Sequence, residues 1–132
     1  MKGVSQIIRE SIGNRAAVLG RHGGEEFVIS LSGVDGEEAA EIAECLRAAC
    51  AAHAFAFLDQ AVRITISIGI ATESPDEGEL LTLLNRADAA LYQAKRNGRN
   101  CVVAAATPRQ DRLIASQSNA WKTSVRFRAR AS

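Results

Sequence analysis

Apolar side chains recur along this chain with two periods, and these periods predict where its helices and strands lie. Between Val62 and Ile70, aliphatic residues alternate with polar or small ones, which is typical of a strand that buries one face. Apolar residues at helical spacing run through residues 4–12, from about 36 to 53, and from 80 to about 97. Shorter apolar runs predict three more strands, at residues 15–21, 26–32 and 101–103.

The residues between these segments support the boundaries. Gly13-Asn14 and Asn97-Gly98 are helix-ending pairs, and residues 35–38 (Asp-Gly-Glu-Glu) have the pattern of a helix capping box. The predicted order is helix, strand, strand, helix, strand, helix, strand. It indicates an α+β fold with helices packed on an antiparallel-rich central sheet. The strand at 62–70 carries small residues opposite its aliphatic face, so another element is expected to pass close over it.

The charge distribution separates the end of the chain from the rest. Residues 1–106 carry 10 basic and 14 acidic side chains, a net charge of −4, whereas residues 107–132 carry 6 and 1, a net charge of +5. We therefore predict a folded domain over residues 1–104 and a flexible, solvated basic tail over residues 105–132. An arm that contacts nucleic acid is the alternative. It is less favoured, because no folded basic platform accompanies the tail's two aromatics, Trp121 and Phe127.

Cysteine content and hydropathy indicate the cellular compartment in which we expect the chain. Cys45, Cys50 and Cys101 are odd in number, which does not suggest a disulfide framework, and a buried thiol is favoured over a zinc site that would include His53. No apolar run approaches the length of a membrane span, and the N-terminus lacks the apolar stretch of a signal peptide. We expect a reduced, cytoplasmic location.

The segment that most strongly suggests a functional site is residues 23–27, Gly-Gly-Glu-Glu-Phe, between two predicted strands. The glycine pair predicts a tight hairpin turn. Glu25 and Glu26 follow at the mouth of that turn, where adjacent carboxylates repel each other unless a cation lies nearby. A divalent metal ion that carries a phosphate would be such a cation.

Three stretches together resemble one family. Residues 21–27 (RHGGEEF) resemble the signature of GGDEF domains, the diguanylate cyclases, in its GGEEF form. Residues 65–71 (TISIGIA) resemble a strand of that family, and residues 86–100 (RADAALYQAKRNGRN) resemble its C-terminal helix. The resemblance covers residues 1–104 and implies the nucleotidyl-cyclase, ferredoxin-like fold of that family.

The resemblance also implies a function, the synthesis of cyclic di-GMP from two GTP molecules across a homodimer of domains, with Mg²⁺ or Mn²⁺. It implies catalytic roles for Glu25 and Glu26, with Glu25 also a metal ligand. It implies nucleotide-binding roles for Gly23, Gly24, Lys95 and Arg99. Lys95 and Arg99 are four residues apart, so they can reach the same side of the chain if the last helix or its final turn persists.

The sequence departs from the family's pattern at its front. The family's domain begins with a strand that carries a second metal-binding aspartate, and the helix after it helps to recognise guanine. That segment would lie before Met1, so we expect a fold that lacks its first strand and helix, and weak or no cyclase activity in the isolated chain. Two alternatives stay open, namely a non-catalytic GTP-binding or regulatory module, and a structural domain that dimerises with an intact copy.

Overall fold

The computed structural model describes residues 3–21, 25–73, 79–106 and 122–131, the last of these by its backbone alone. These residues form three helices and six strands. In chain order they are α1 (Val4–Ile12), β1 (Ala17–Arg21), β2 (Glu26–Ser32), α2 (Gly36–Ala52), β3 (Ala54–Phe57), β4 (Gln60–Thr72), α3 (Leu80–Arg96), β5 (Val102–Ala104) and β6 (Lys122–Ala131). The predicted α+β class is confirmed.

The strands form one mixed sheet in the order β1-β2-β6-β4-β3, with β5 paired in parallel to β4. β1 and β2 form the predicted antiparallel hairpin, in register from Ala17↔Leu31 to Arg21↔Phe27. β6 lies in the middle and runs antiparallel to both β2 and β4. All other pairings are antiparallel, so the sheet is antiparallel-rich as predicted.

The expectation of a flexible tail over residues 105–132 is contradicted where β6 forms. Phe127 pairs with Phe27 on one side and Ile68 on the other, so β6 has backbone partners along both edges. The physical reason is that β2 and β4 would otherwise face each other with unpaired N–H and C=O groups. The C-terminal segment therefore supplies the middle strand of a sheet that we expected to lack the family's first strand. Residues 107–121 and the predicted turn at 74–78 lie outside the described residues.

The core lies on the aliphatic face of β4. Ile66, Ile68 and Ile70 are at most 1 % exposed and belong to one buried cluster with side chains of α1 and α2, of which α2 packs directly on β4. α2 begins as predicted, with Asp35 Oδ1 accepting a hydrogen bond of 2.8 Å from the Glu38 N–H, and ends at its cap residue His53. α3 covers the opposite face of β4, over Gly69, which confirms the close approach that the small residues predict.

One hairpin was not predicted. β3 pairs antiparallel with the start of β4 through a two-residue turn, Leu58-Asp59, with φ of 48° and 63°. Turns of this type prefer Asn-Gly or Asp-Gly, and the strand before it is half alanine, so neither signal was present in the sequence. No helix in the part of the chain that the structure describes is long and apolar enough to cross a membrane.

The cysteines give a first testable prediction. Cys50 is fully buried in α2, and this burial raises the pKa of its thiol to about 11, whereas Cys45 on the same helix is exposed. The thiol of Cys50 is therefore neutral at pH 8 and becomes a thiolate only as the pH nears 11. We expect iodoacetamide at pH 8 to modify Cys45 in the folded protein and Cys50 only after unfolding, as measured by peptide mass spectrometry. Equal labelling rates would contradict this packing.

Candidate functional site

The two carboxylates of the hairpin lie at the start of β2. Glu25 is exposed and immediately precedes the strand, and Glu26 is its first residue and is half-buried. On the facing strand, the Arg21 guanidinium lies 6.0 Å from the centroid of the Phe27 ring, a contact that joins the two strands. Gly23 and Gly24 lie outside the described residues, so their nucleotide-binding roles stay predictions.

A cation from another element meets this hairpin. Lys95, in the last turn of α3, places its Nζ 3.7 Å from Glu26 Oε1, and the two side chains are 23 % and 29 % exposed. The carboxyl end of a helix favours a cation, so Lys95 is well placed there. The cation expected beside the adjacent acids is thus present in the chain itself. Two of the predicted site residues, distant in sequence, are brought together.

Arg99 lies outside the helix that carries Lys95. α3 ends at Arg96, Gly98 follows with φ of 108°, and the Arg99 N–H donates to the Ala94 carbonyl at 3.1 Å. This is the hydrogen-bond pattern of a Schellman motif, which stops a helix. Arg99 therefore lies in an exposed turn beyond the end of α3 and shares no helical face with Lys95.

Three polar residues behind this turn were missed as site residues. Arg47 on α2 donates from Nη1 to Asn100 Oδ1 at 2.9 Å, and the Asn100 N–H donates to Ser67 Oγ at 3.2 Å. Ser67 is only 5 % exposed, so Asn100 also satisfies a buried hydroxyl. Helical spacing placed Arg47 on the polar face of α2. In the sequence, the one signal for a contact between α2 and this turn is Asn100, which ends the motif at residues 86–100.

Arg47 is itself held by Glu44, one turn earlier on α2. Its Nε donates to both carboxylate oxygens of Glu44 at 3.0 Å. The hydrogen bond from Arg47 lowers the pKa of the Glu44 carboxyl, and the same bond raises the pKa of the guanidinium. Both groups therefore stay charged throughout the physiological range.

A cleft of about 460 Å³ lies beside the hairpin, between the β1–β2 pair and α3. Its volume is in the range of small-molecule sites. Asp88, on its helical wall, precedes Lys95 by two turns of α3. The cleft is lined by Gly20, Arg21, Val28, Leu81, Leu84, Asn85 and Asp88.

Residues 1–101 match the sequence profile of the family described as "Diguanylate cyclase, GGDEF domain". The chain belongs to the GGDEF domain family. This GGDEF chain is 34% identical over 99 residues to Diguanylate cyclase A of Treponema denticola, an alignment that covers 75% of this chain and 26% of that protein. It is 45% identical over 87 residues to Diguanylate cyclase DgcP of Pseudomonas aeruginosa, covering 65% and 13%.

A solved structure agrees with the assignment. The active GGEEF domain of a diguanylate cyclase from Vibrio cholerae superposes with a TM-score of 0.67 and 28% sequence identity, over 80% of this chain and 65% of that one. The family assignment made from the three motifs is confirmed. The chain spans about a quarter of the Treponema relative and about an eighth of the Pseudomonas one. β6 lies outside the residues that match the family.

Proposed function

We propose that this chain is a diguanylate cyclase domain that joins two GTP molecules into cyclic di-GMP as one half of a homodimer. The pairing of Glu26 with Lys95 carries the proposal, because it joins the acidic hairpin and the basic end of α3. Family membership indicates the reaction to which these groups belong. The proposed residues are Glu25 and Glu26 as catalytic groups, Glu25 also as metal ligand, and Gly23, Gly24, Lys95 and Arg99 for the nucleotide.

The basic residues Lys95 and Arg99 are proposed to neutralise the negative charge of the triphosphate. Lys95 is half-buried, and an ion pair at such a position is stronger than one in open water. We propose that its ammonium exchanges the Glu26 carboxylate for a phosphate oxygen when GTP binds. Arg99, exposed on the turn that follows α3, adds a planar donor group that suits a terminal phosphate. Phosphoryl transfer depends chiefly on such positioning and neutralisation.

The donor set fits a divalent ion such as Mg²⁺. Within residues 3–21, 25–73 and 79–106, no three His, Cys, Asp or Glu side chains cluster as metal ligands. Mg²⁺ does not need such a cage, because it binds through one or two carboxylates and completes its shell with water and substrate phosphates. Glu25 would hold it together with GTP, with Glu26 beside it, and Mn²⁺ has the same preference for oxygen ligands.

The chemistry then follows from these groups. In each half-reaction the 3′-oxygen of one GTP forms a bond to the α-phosphorus of the other, the bond from that phosphorus to the pyrophosphate oxygen breaks, and pyrophosphate leaves. Glu25 accepts the proton of the attacking hydroxyl, while Lys95 and Arg99 neutralise the departing phosphates. A bound Mg²⁺ would supply further neutralisation of the phosphate oxygens. Because each domain holds one GTP, two domains must face each other about a two-fold axis.

The test is Glu25→Gln, which keeps the side chain's size and removes its charge. We expect about a hundredfold slower formation of cyclic di-GMP from GTP and Mg²⁺, measured by mass spectrometry. Calorimetry with a GTP analogue methylene-bridged between its α and β phosphates gives a second readout that does not depend on turnover. Lys95→Met and Arg99→Met should each weaken that binding.

Glu41→Gln is the matched control, because Glu41 is an exposed acid on α2. Unchanged turnover in Glu25→Gln would contradict the role of the hairpin. Binding of the analogue with no turnover in the unmodified chain would favour the non-catalytic GTP-binding module. Absence of binding would refute both.

A further inference from the structure

The turn after α3 is held in a conformation that its residues do not favour by themselves. Gly98, Arg99 and Asn100 have φ of 108°, 65° and 47°. This left-handed region suits glycine and is tolerated by asparagine, but it disfavours a residue such as arginine. Contacts with the rest of the fold must therefore select it.

Three hydrogen bonds, one made by Arg99 and two by Asn100, provide that selection. The Arg99 N–H donates to the Ala94 carbonyl, which ties the turn to α3. The Asn100 N–H donates to Ser67 on β4, and Asn100 Oδ1 accepts from Arg47 on α2. The backbone around Arg99 is thus anchored to two helices and the sheet.

The anchor from α2 is the most directional of the three. Arg47 is fixed by two hydrogen bonds from Nε to the carboxylate of Glu44, and its side chain is only 21% exposed. A guanidinium held along one edge presents its remaining donors in a fixed plane. A single ion pair of this kind adds little to stability, so its main effect is geometric.

We propose that Arg47 is a positioning residue for Arg99: by holding Asn100, it fixes the direction in which Arg99 leaves the turn toward the triphosphate of GTP. The proposal rests on the proposed function, which assigns Arg99 to the nucleotide. Arg47 acts through Asn100 and does not touch the ligand. Arg47→Lys keeps the charge but lacks the fork that spans Glu44 and Asn100, so it should behave like a loss of function.

The experiment uses the full chain with Arg47→Met and Arg47→Lys, and Arg63→Met as control. Arg63 also bonds to α2, through the Ala51 carbonyl, and precedes Ser67 by four residues along β4. We expect both Arg47 variants to bind the methylene-bridged GTP analogue about tenfold more weakly, since misplacement of a ligand group is costly. Arg47→Met should add no further loss in a chain that already carries Arg99→Met. In ¹⁵N relaxation, the Arg99 and Asn100 amides should become mobile at an unchanged melting temperature.

The outcomes separate the two proposals. Rigid Arg99 and Asn100 amides in Arg47→Met, or full affinity in Arg47→Lys, would overturn the positioning role. So would an equal loss of affinity from Arg47→Met with and without Arg99. If the unmodified chain does not bind the analogue, the proposed function fails, and the relaxation measurement alone decides whether Arg47 orders the turn.

Discussion

Gly69→Ala is expected to destabilise the domain by about 3 kcal/mol or more, the upper end of what overpacking costs. A Cβ atom at Gly69 would lie 2.8 Å from Leu91 Cα and closer still to the Ala87 carbonyl oxygen and the Leu91 N–H. These are backbone atoms of α3, so no rotamer change relieves the clash, and the whole helix must move away from β4. Total stability of a domain this size is only about 5–15 kcal/mol.

The measurement is chemical unfolding of purified Gly69→Ala, followed by circular dichroism. Gly20→Ala is the matched control, because Gly20 is also a strand glycine. Among the residues that the structure describes, its added Cβ would meet no atom closer than the Val28 carbonyl oxygen at 4.0 Å. We expect the control to unfold within about 0.5 kcal/mol of the unmodified chain. Gly69→Ala with unmodified stability would show that α3 does not pack on β4 at this distance.

Gly69 also illustrates which parts of the fold could be predicted from the sequence. The alternation over Val62–Ile70 predicted a strand with one aliphatic face, and the small residues opposite predicted a close neighbour. Local pattern was sufficient there, because strand periodicity records burial directly. It also located the acids of the hairpin and the helix that carries Lys95.

The parts that could not be predicted depend on contacts between distant segments. The left-handed turn of Arg99 is selected by Arg47 and Ser67, which belong to other elements. The neighbouring Asn100 signals a hydrogen-bonding role, but the sequence does not say with which residues it bonds. The pairing of Lys95 with Glu26 likewise needs the fold. Residues 125–130 alternate basic and apolar side chains, which is a strand pattern, and yet the sequence predicts a tail there. A strand forms only where partner strands are available, and the sequence does not show which strands those are.

Removal of β6 is expected to have the second large effect, the loss of cooperative folding. In a chain that ends at Ala106, β2 and β4 lose their shared partner, and both present unpaired backbone groups. The same gap would open the core beside Ile29, Ile66 and Ile68, which are at most 2 % exposed. Exposure of each such side chain costs about 1.5–3 kcal/mol, so the sum rivals the stability of the domain.

A flexible tail predicts the opposite result, so thermal unfolding of the chain ending at Ala106 decides between them. Val125→Pro tests the strand in the full-length chain: β6 is bonded along both edges, and proline removes an N–H that a central strand needs. Val125→Thr is its control, because threonine keeps the N–H and the β-branch. We expect Val125→Pro and the shortened chain to lose the cooperative transition and Val125→Thr to retain it. If the shortened chain melts at the same temperature as the full chain, β6 is not part of the sheet and the flexible-tail prediction holds.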